Sequence, residues 1–122
     1  MSHASLARLR LLLTGQGVYY VLTGTWPLVS MSAFESVTGP KTDDWLVHTV
    51  GVLAAVIGAT LLSGARRPSR VVVTLSVLSA LAFAAIDLVY ALAGVISSIY
   101  LADAAVELAL AAGVLASRRG AA

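Results

Sequence analysis

Three carboxylic acids, Asp87, Asp103 and Glu107, stand inside stretches of sequence otherwise apolar enough for a lipid bilayer. Each would cost about 2.5–3.5 kcal/mol if it faced lipid at the centre of a spanning helix. All three are therefore expected to face the interior of a helix bundle or water. Tyr100, Asp103 and Glu107 are separated by three and four residues, which at 3.6 residues per turn puts them within about 60° of one another on one helix face. Counted from the end near Ser97 at about 1.5 Å per residue, Asp103 lies roughly 9 Å deep and Glu107 roughly 15 Å deep, close to the midplane. Asp87 falls at the level of Asp103, with Tyr90 one turn above it. Two acids at one depth on neighbouring helices cannot both remain charged in a dry site, so they share a proton, bind a cation or line a wet cavity. Asp87, Asp103 and Glu107 are accordingly the candidates for acid/base chemistry or for holding a ligand. The plain structural counterpart is a hydrogen-bonded pair that only fixes helix packing.

His48 follows Asp44 by four residues, a spacing that lets the carboxylate orient the imidazole. It is a candidate proton shuttle at the mouth of a pocket. The only other histidine, His3, belongs to the opposite end of the chain, and there is no cysteine. No metal site, iron–sulfur cluster, haem or other cofactor is expected. Candidate binding residues are Tyr20, which shares a helix face with Gln16, the interfacial Trp26 and Trp45, and Tyr90 and Tyr100 beside the acids. Glu35 joins them as part of an outer loop which, with Lys41 and Asp43, could act as a lid. No Gly-rich phosphate loop, zincin spacing or nucleophile triad is present, and enzymatic activity stays an open question at this stage.

The elements that must position these residues are four apolar runs. Mean hydropathy of +0.93, with 59% hydrophobic and 11% charged residues in 122, lies far from a soluble domain, where charged residues approach about a quarter. The chain reads as an all-α bundle of four transmembrane helices over residues 9–29, 43–62, 68–93 and 98–116, a single integral membrane domain spanning 1–122. Arg8 and Arg10, then Arg66, Arg67 and Arg70, then Arg118 and Arg119 flank one side, while all six carboxylates map to the other side or the half of the helices nearest it. The excess of arginine predicts that both termini are cytoplasmic, in a multi-pass protein of the cytoplasmic (inner) membrane. The pI near 9.4 follows from those flanking residues and gives no reason to expect nucleic acid. The first run is read as a retained helix, because it is about as long as a bilayer requires and carries Gln16, Tyr19, Tyr20 and Trp26, unlike a short secretory core.

Within this plan Trp26-Pro27 closes the first helix, residues 31–37 form a short surface helix, and Gly94 ends the third span. Ser97 or Ser98 caps the fourth. Gly51, Ala55 and Gly58 on one helix and Ala105, Ala109 and Gly113 on another are expected as packing faces, since small residues permit close approach where lipid supplies no hydrophobic drive. Tyr20 to Gly24 and Tyr90 to Gly94 close the first and third spans alike, so the chain can be read as a duplicated helical hairpin.

The segments Ser32-Ala-Phe-Glu-Ser-Val-Thr-Gly-Pro-Lys-Thr-Asp-Asp-Trp-Leu-Val-His48 and Ile99-Tyr-Leu-Ala-Asp-Ala-Ala-Val-Glu107 resemble a pattern of small uncharacterised bacterial four-helix membrane proteins. The resemblance implies a four-helix membrane fold and brings no activity with it.

The leading functional expectation is an acidic pocket, open to the outer leaflet, that binds a small lipophilic or cationic molecule and performs acid/base chemistry on it. A second expectation is a structural or auxiliary subunit packing against itself or a larger membrane partner, with lipids as neighbours. A third is a small proton-coupled transporter using the same acids.

Overall fold

A computed structural model describes residues 2–119, without the side chain of Arg119, so that half of the terminal arginine pair lies outside the described residues. The protein is all-helical. Its elements are α1 (His3–Val29), α2 (Met31–Thr38), α3 (Asp44–Gly64), α4 (Arg70–Leu92) and α5 (Tyr100–Arg119), with no strand among the described residues. Three of these, α3, α4 and α5, are long and apolar enough to cross a membrane. α1 has the length but is not among them; Gln16, Tyr19, Tyr20 and its threonines lower its hydropathy.

Helix ends follow local capping chemistry more closely than they follow the apolar runs. α1 begins six residues before its apolar run, at His3, because Ser2 accepts a hydrogen bond from the Ser5 amide at 3.0 Å and caps it. Pro27 does not close α1. The helix continues to Val29, and the turn comes at Ser30, whose extended backbone ends α1 and whose hydroxyl caps α2 through Ala33. α2 is the expected surface helix, ended by Gly39 at φ +94°. Ser69 caps α4 through the Val72 amide at 3.1 Å, so this helix starts at Arg70 rather than Pro68. Gly94 takes φ +76° after the last turn of α4, where the Val95 amide returns to the Tyr90 carbonyl at 2.9 Å. Ser97 and Ser98 belong to a tight entry turn, and α5 starts only at Tyr100.

α1 and α3 pack antiparallel at two glycine pairs. A Cβ on Gly58 would stand 2.6 Å from the Gly17 carbonyl oxygen, and one on Gly17 would stand 2.8 Å from the Gly58 carbonyl oxygen. At the second pair, a Cβ on either Gly24 or Gly51 would fall on the other's carbonyl oxygen. The two pairs are seven residues apart on each helix, so one seam of backbone contact runs along the stretch of α1 from Gly17 to Gly24. α4 packs against α5, and the two hairpins meet mainly where α1 crosses α5. The expected small face of α5 is rotated in the structure. Ala105 and Ala109 are exposed, whereas Ala104, Glu107, Ala111 and Val114 are buried. Gly113 alone of the expected set meets α1, at Leu12.

Burial is inverted relative to a water-soluble protein. Leu11, Leu22, Val56, Val71, Leu78 and Leu92 are exposed, while Gln16, Ser76, Asp87 and Glu107 are buried. Such a surface suits a lipid environment, where buried polar groups serve one another and apolar groups face outward. The start of α1, the end of α5 and the α3–α4 turn share one end, where Arg10 Nε donates to the Arg66 carbonyl at 2.8 Å. That end is filled by Leu9, Leu13, Leu61, Val73 and Val114, all essentially inaccessible. The other end holds α2 and is hollow.

Candidate functional site

The hollow is a cavity of about 560 Å³, bounded by the distal halves of α1, α3, α4 and α5 and covered by α2. Its volume falls in the range of sites for small organic ligands. Most of its wall is apolar, including Val47, Val50, Ala54, Phe83, Ile86 and Val106. Asp87, Asp103 and Glu107 all line it, so α4 and α5 bring the three acids of the sequence to one space.

Each acid has a distinct set of partners. Tyr20 donates its hydroxyl hydrogen to Glu107 Oε1 at 2.6 Å, and Glu107 is 1% exposed. The neighbouring Tyr19 donates to Asp103 Oδ1. Asp87 and Asp103 lie within reach of one another, as do Asp103 and Glu107. Asp87 is 5% exposed, and its Oδ2 has no hydrogen-bond partner among the described residues. An unpartnered buried carboxylate oxygen is an expensive feature, and here it belongs to a residue that lines the cavity.

Below the acids a hydrogen-bonded chain fixes the tyrosine. Ser76 donates its hydroxyl to Gln16 Oε1, Gln16 Nε2 donates to the Ser76 carbonyl at 3.0 Å and to the Tyr20 hydroxyl at 3.1 Å, and Tyr20 donates onward to Glu107. The Phe83 ring meets that of Tyr20 edge-on at 5.2 Å. Gln16 thus does more than share a face with Tyr20. It ties α1 to α4 and orients the phenol toward α5.

The mouth is aromatic and carries one cation. Trp26 and Phe34 pack edge-on at 5.4 Å, joining α1 to α2. Lys41 Nζ lies 5.1 Å from the Tyr100 ring centre and 5.9 Å from that of Phe34, and donates to the carbonyls of Thr38 and Gly39. Glu35 does not reach the cavity; its Oε1 accepts from the Lys41 amide at 3.3 Å and holds the chain after α2 in place.

Other expected site residues stand elsewhere. His48 does not line the cavity. It lines a shallow depression with Thr49, Val52 and Leu53, because Val47, Val50, Gly51 and Ala54 take the inward face of α3 and one further residue turns the chain by about 100°. No hydrogen bond joins it to Asp44 among the described residues, so the geometry lends a shuttle at the cavity mouth no support. Trp45 is 67% exposed and Tyr90 46% exposed, and neither lines the cavity. Tyr20, Trp26 and Tyr100 do. Tyr19 and Phe83 also line the cavity, although neither is among the residues expected there; an aromatic pair at consecutive positions opposite a helix bearing acids four residues apart is the signal that points to Tyr19. Among the described residues no group of three acids or histidines is arranged to hold a metal ion.

Chemically the site offers acceptor oxygens and exchangeable protons at its floor, an apolar middle and an aromatic rim. No family model, no curated protein and no solved structure matches the chain.

Proposed function

We propose that this protein is a four-span bundle of the cytoplasmic membrane, with both termini in the cytoplasm, that binds a small lipophilic molecule bearing a cationic group in the acidic cavity between α1, α4 and α5. The observation that carries the reading is a cavity of about 560 Å³ with three acids on its wall, among them Asp87, 5% exposed and with no partner for its Oδ2 among the described residues. A ligand ammonium supplies the counter-charge that this group of acids lacks. The apolar walls then take the ligand's body. Because Tyr19 is hydrogen-bonded to Asp103 and Tyr20 to Glu107, with Asp87 on the same wall, the floor can give a proton to a bound molecule or accept one.

The fourth span rests on α1. Its glycine seam with α3 holds the two helices side by side, and α3 is apolar enough to cross. The orientation rests on the arginines at the end shared by the start of α1, the end of α5 and the α3–α4 turn.

The test is equilibrium binding of tritiated decylamine to the protein in lipid nanodiscs, with empty nanodiscs subtracted. Saturable binding near one per chain is expected, weakened at least tenfold in Asp87→Asn. Absence of saturable binding, or equal binding by the Asn variant, removes the proposal.

A further inference from the structure

We infer that the ligand of this cavity is two-ended, with an ammonium for the acidic floor and a carboxylate for Lys41 at the rim. This deepens the reading above and rests on it. Lys41 lines the same cavity as the acids, and its ammonium makes no ion pair among the described residues. Two of its three N–H groups are committed to the carbonyls of Thr38 and Gly39, and the charge is held against the rings of Tyr100 and Phe34. One donor remains. A single free N–H suits one oxygen of a carboxylate and leaves a phosphate, which wants several donors, poorly served.

The separation of the two charges is set by α5. Tyr100, beneath Lys41, and Glu107, at the floor, are seven residues apart, which is about 10 Å along a helix. Apart from Asp103 the wall between them is apolar, with Ala102 and Val106 on α5 itself and Val50 and Ile86 on α3 and α4. A cation with a plain alkyl tail fills the floor and the middle but leaves the Lys41 ammonium without a counter-charge, and like charges then share one low-dielectric space. A molecule with a carboxylate at the far end of a flexible apolar chain neutralises both ends. Lys41 is in this view a specificity residue, and the rings beneath it keep its charge at the mouth when the site is empty.

Three probes of equal chain length decide the matter, namely decylamine, decanoate and ω-aminodecanoate, each measured by equilibrium binding to the full chain in nanodiscs. In the wild type ω-aminodecanoate is expected to bind about tenfold more tightly than decylamine, and decanoate more weakly than either. Lys41→Gln removes the charge while keeping two N–H donors on a side chain one atom shorter. It is expected to abolish the advantage of ω-aminodecanoate while leaving decylamine binding equal or tighter. If decylamine binds in an Asp87-dependent way but ω-aminodecanoate shows no advantage, or an advantage that survives Lys41→Gln, the two-ended ligand is wrong and the acidic-site reading stands. If decylamine does not bind at all, the acidic-site reading falls and takes this inference with it.

Discussion

Tyr20 and Glu107 face each other across the α1–α5 seam, the phenol donating to the carboxyl oxygen at 2.6 Å with only 2% and 1% of the two residues exposed. The bond is oriented from below by Gln16, so it is preset whether or not a ligand is present. Replacing Tyr20 by Phe keeps the contact with Phe83 and removes the donor. The expected loss is about 1–3 kcal/mol of stability, because a buried acceptor is left without a partner. Tyr19→Phe, whose partner Asp103 is less buried, is expected to lose less. Thermal unfolding in one detergent compares the two, and equal losses would show that Glu107 is served by another donor.

Asp87→Asn should move stability and affinity in opposite directions. The new amide can donate to Asp103, filling the vacancy at Oδ2 and removing one of three crowded acids, so the unliganded protein is expected to gain about 0.5–1.5 kcal/mol. Ligand affinity falls at the same time. A melting temperature at or below wild type would mean that Oδ2 is already satisfied in the membrane.

The glycines make a sharper contrast. Gly15 has no atom within 4 Å of where a Cβ would stand, so Gly15→Ala should be neutral or stabilising by up to about 1 kcal/mol through helix propensity. In Gly24→Ala the new methyl meets the Gly51 carbonyl, and the α1–α3 seam must open along its length. Loss of about 1–3 kcal/mol, or failure to run as a single species in gel filtration, is the expected result. Equal behaviour of the two variants would discard the close seam.

Because the chain has no cysteine, orientation can be read from single introduced thiols. Ser36→Cys on α2 should react with a membrane-impermeant maleimide in intact cells. Ala4→Cys at the start of α1 should react only after permeabilisation. The opposite pattern would invert the proposed topology.

Much of the helical plan was legible because bilayer length and Gly/Ser punctuation act locally. The acids were legible because a charged group among apolar residues has so few places to go. What escaped depended on rotation about a helix axis. In α5 alanine occupies Ala102, Ala104, Ala105, Ala109, Ala111, Ala112 and Ala116, so small residues mark nearly every face and cannot say which one packs. On α3 the difference between Val47 lining the cavity and His48 lying outside it is one residue. Tyr19 and Tyr20 were equally hard to separate from sequence. They point in different directions, yet each finds an acid because Asp103 and Glu107 are a full turn apart on the facing helix.

The leucine and valine fill at the end holding the start of α1 and the α3–α4 turn closes the cavity on that side. Whatever occupies the cavity has no way out through that end, and vectorial passage along the bundle would demand that Leu9, Leu13, Leu61 and Val114 separate in every cycle.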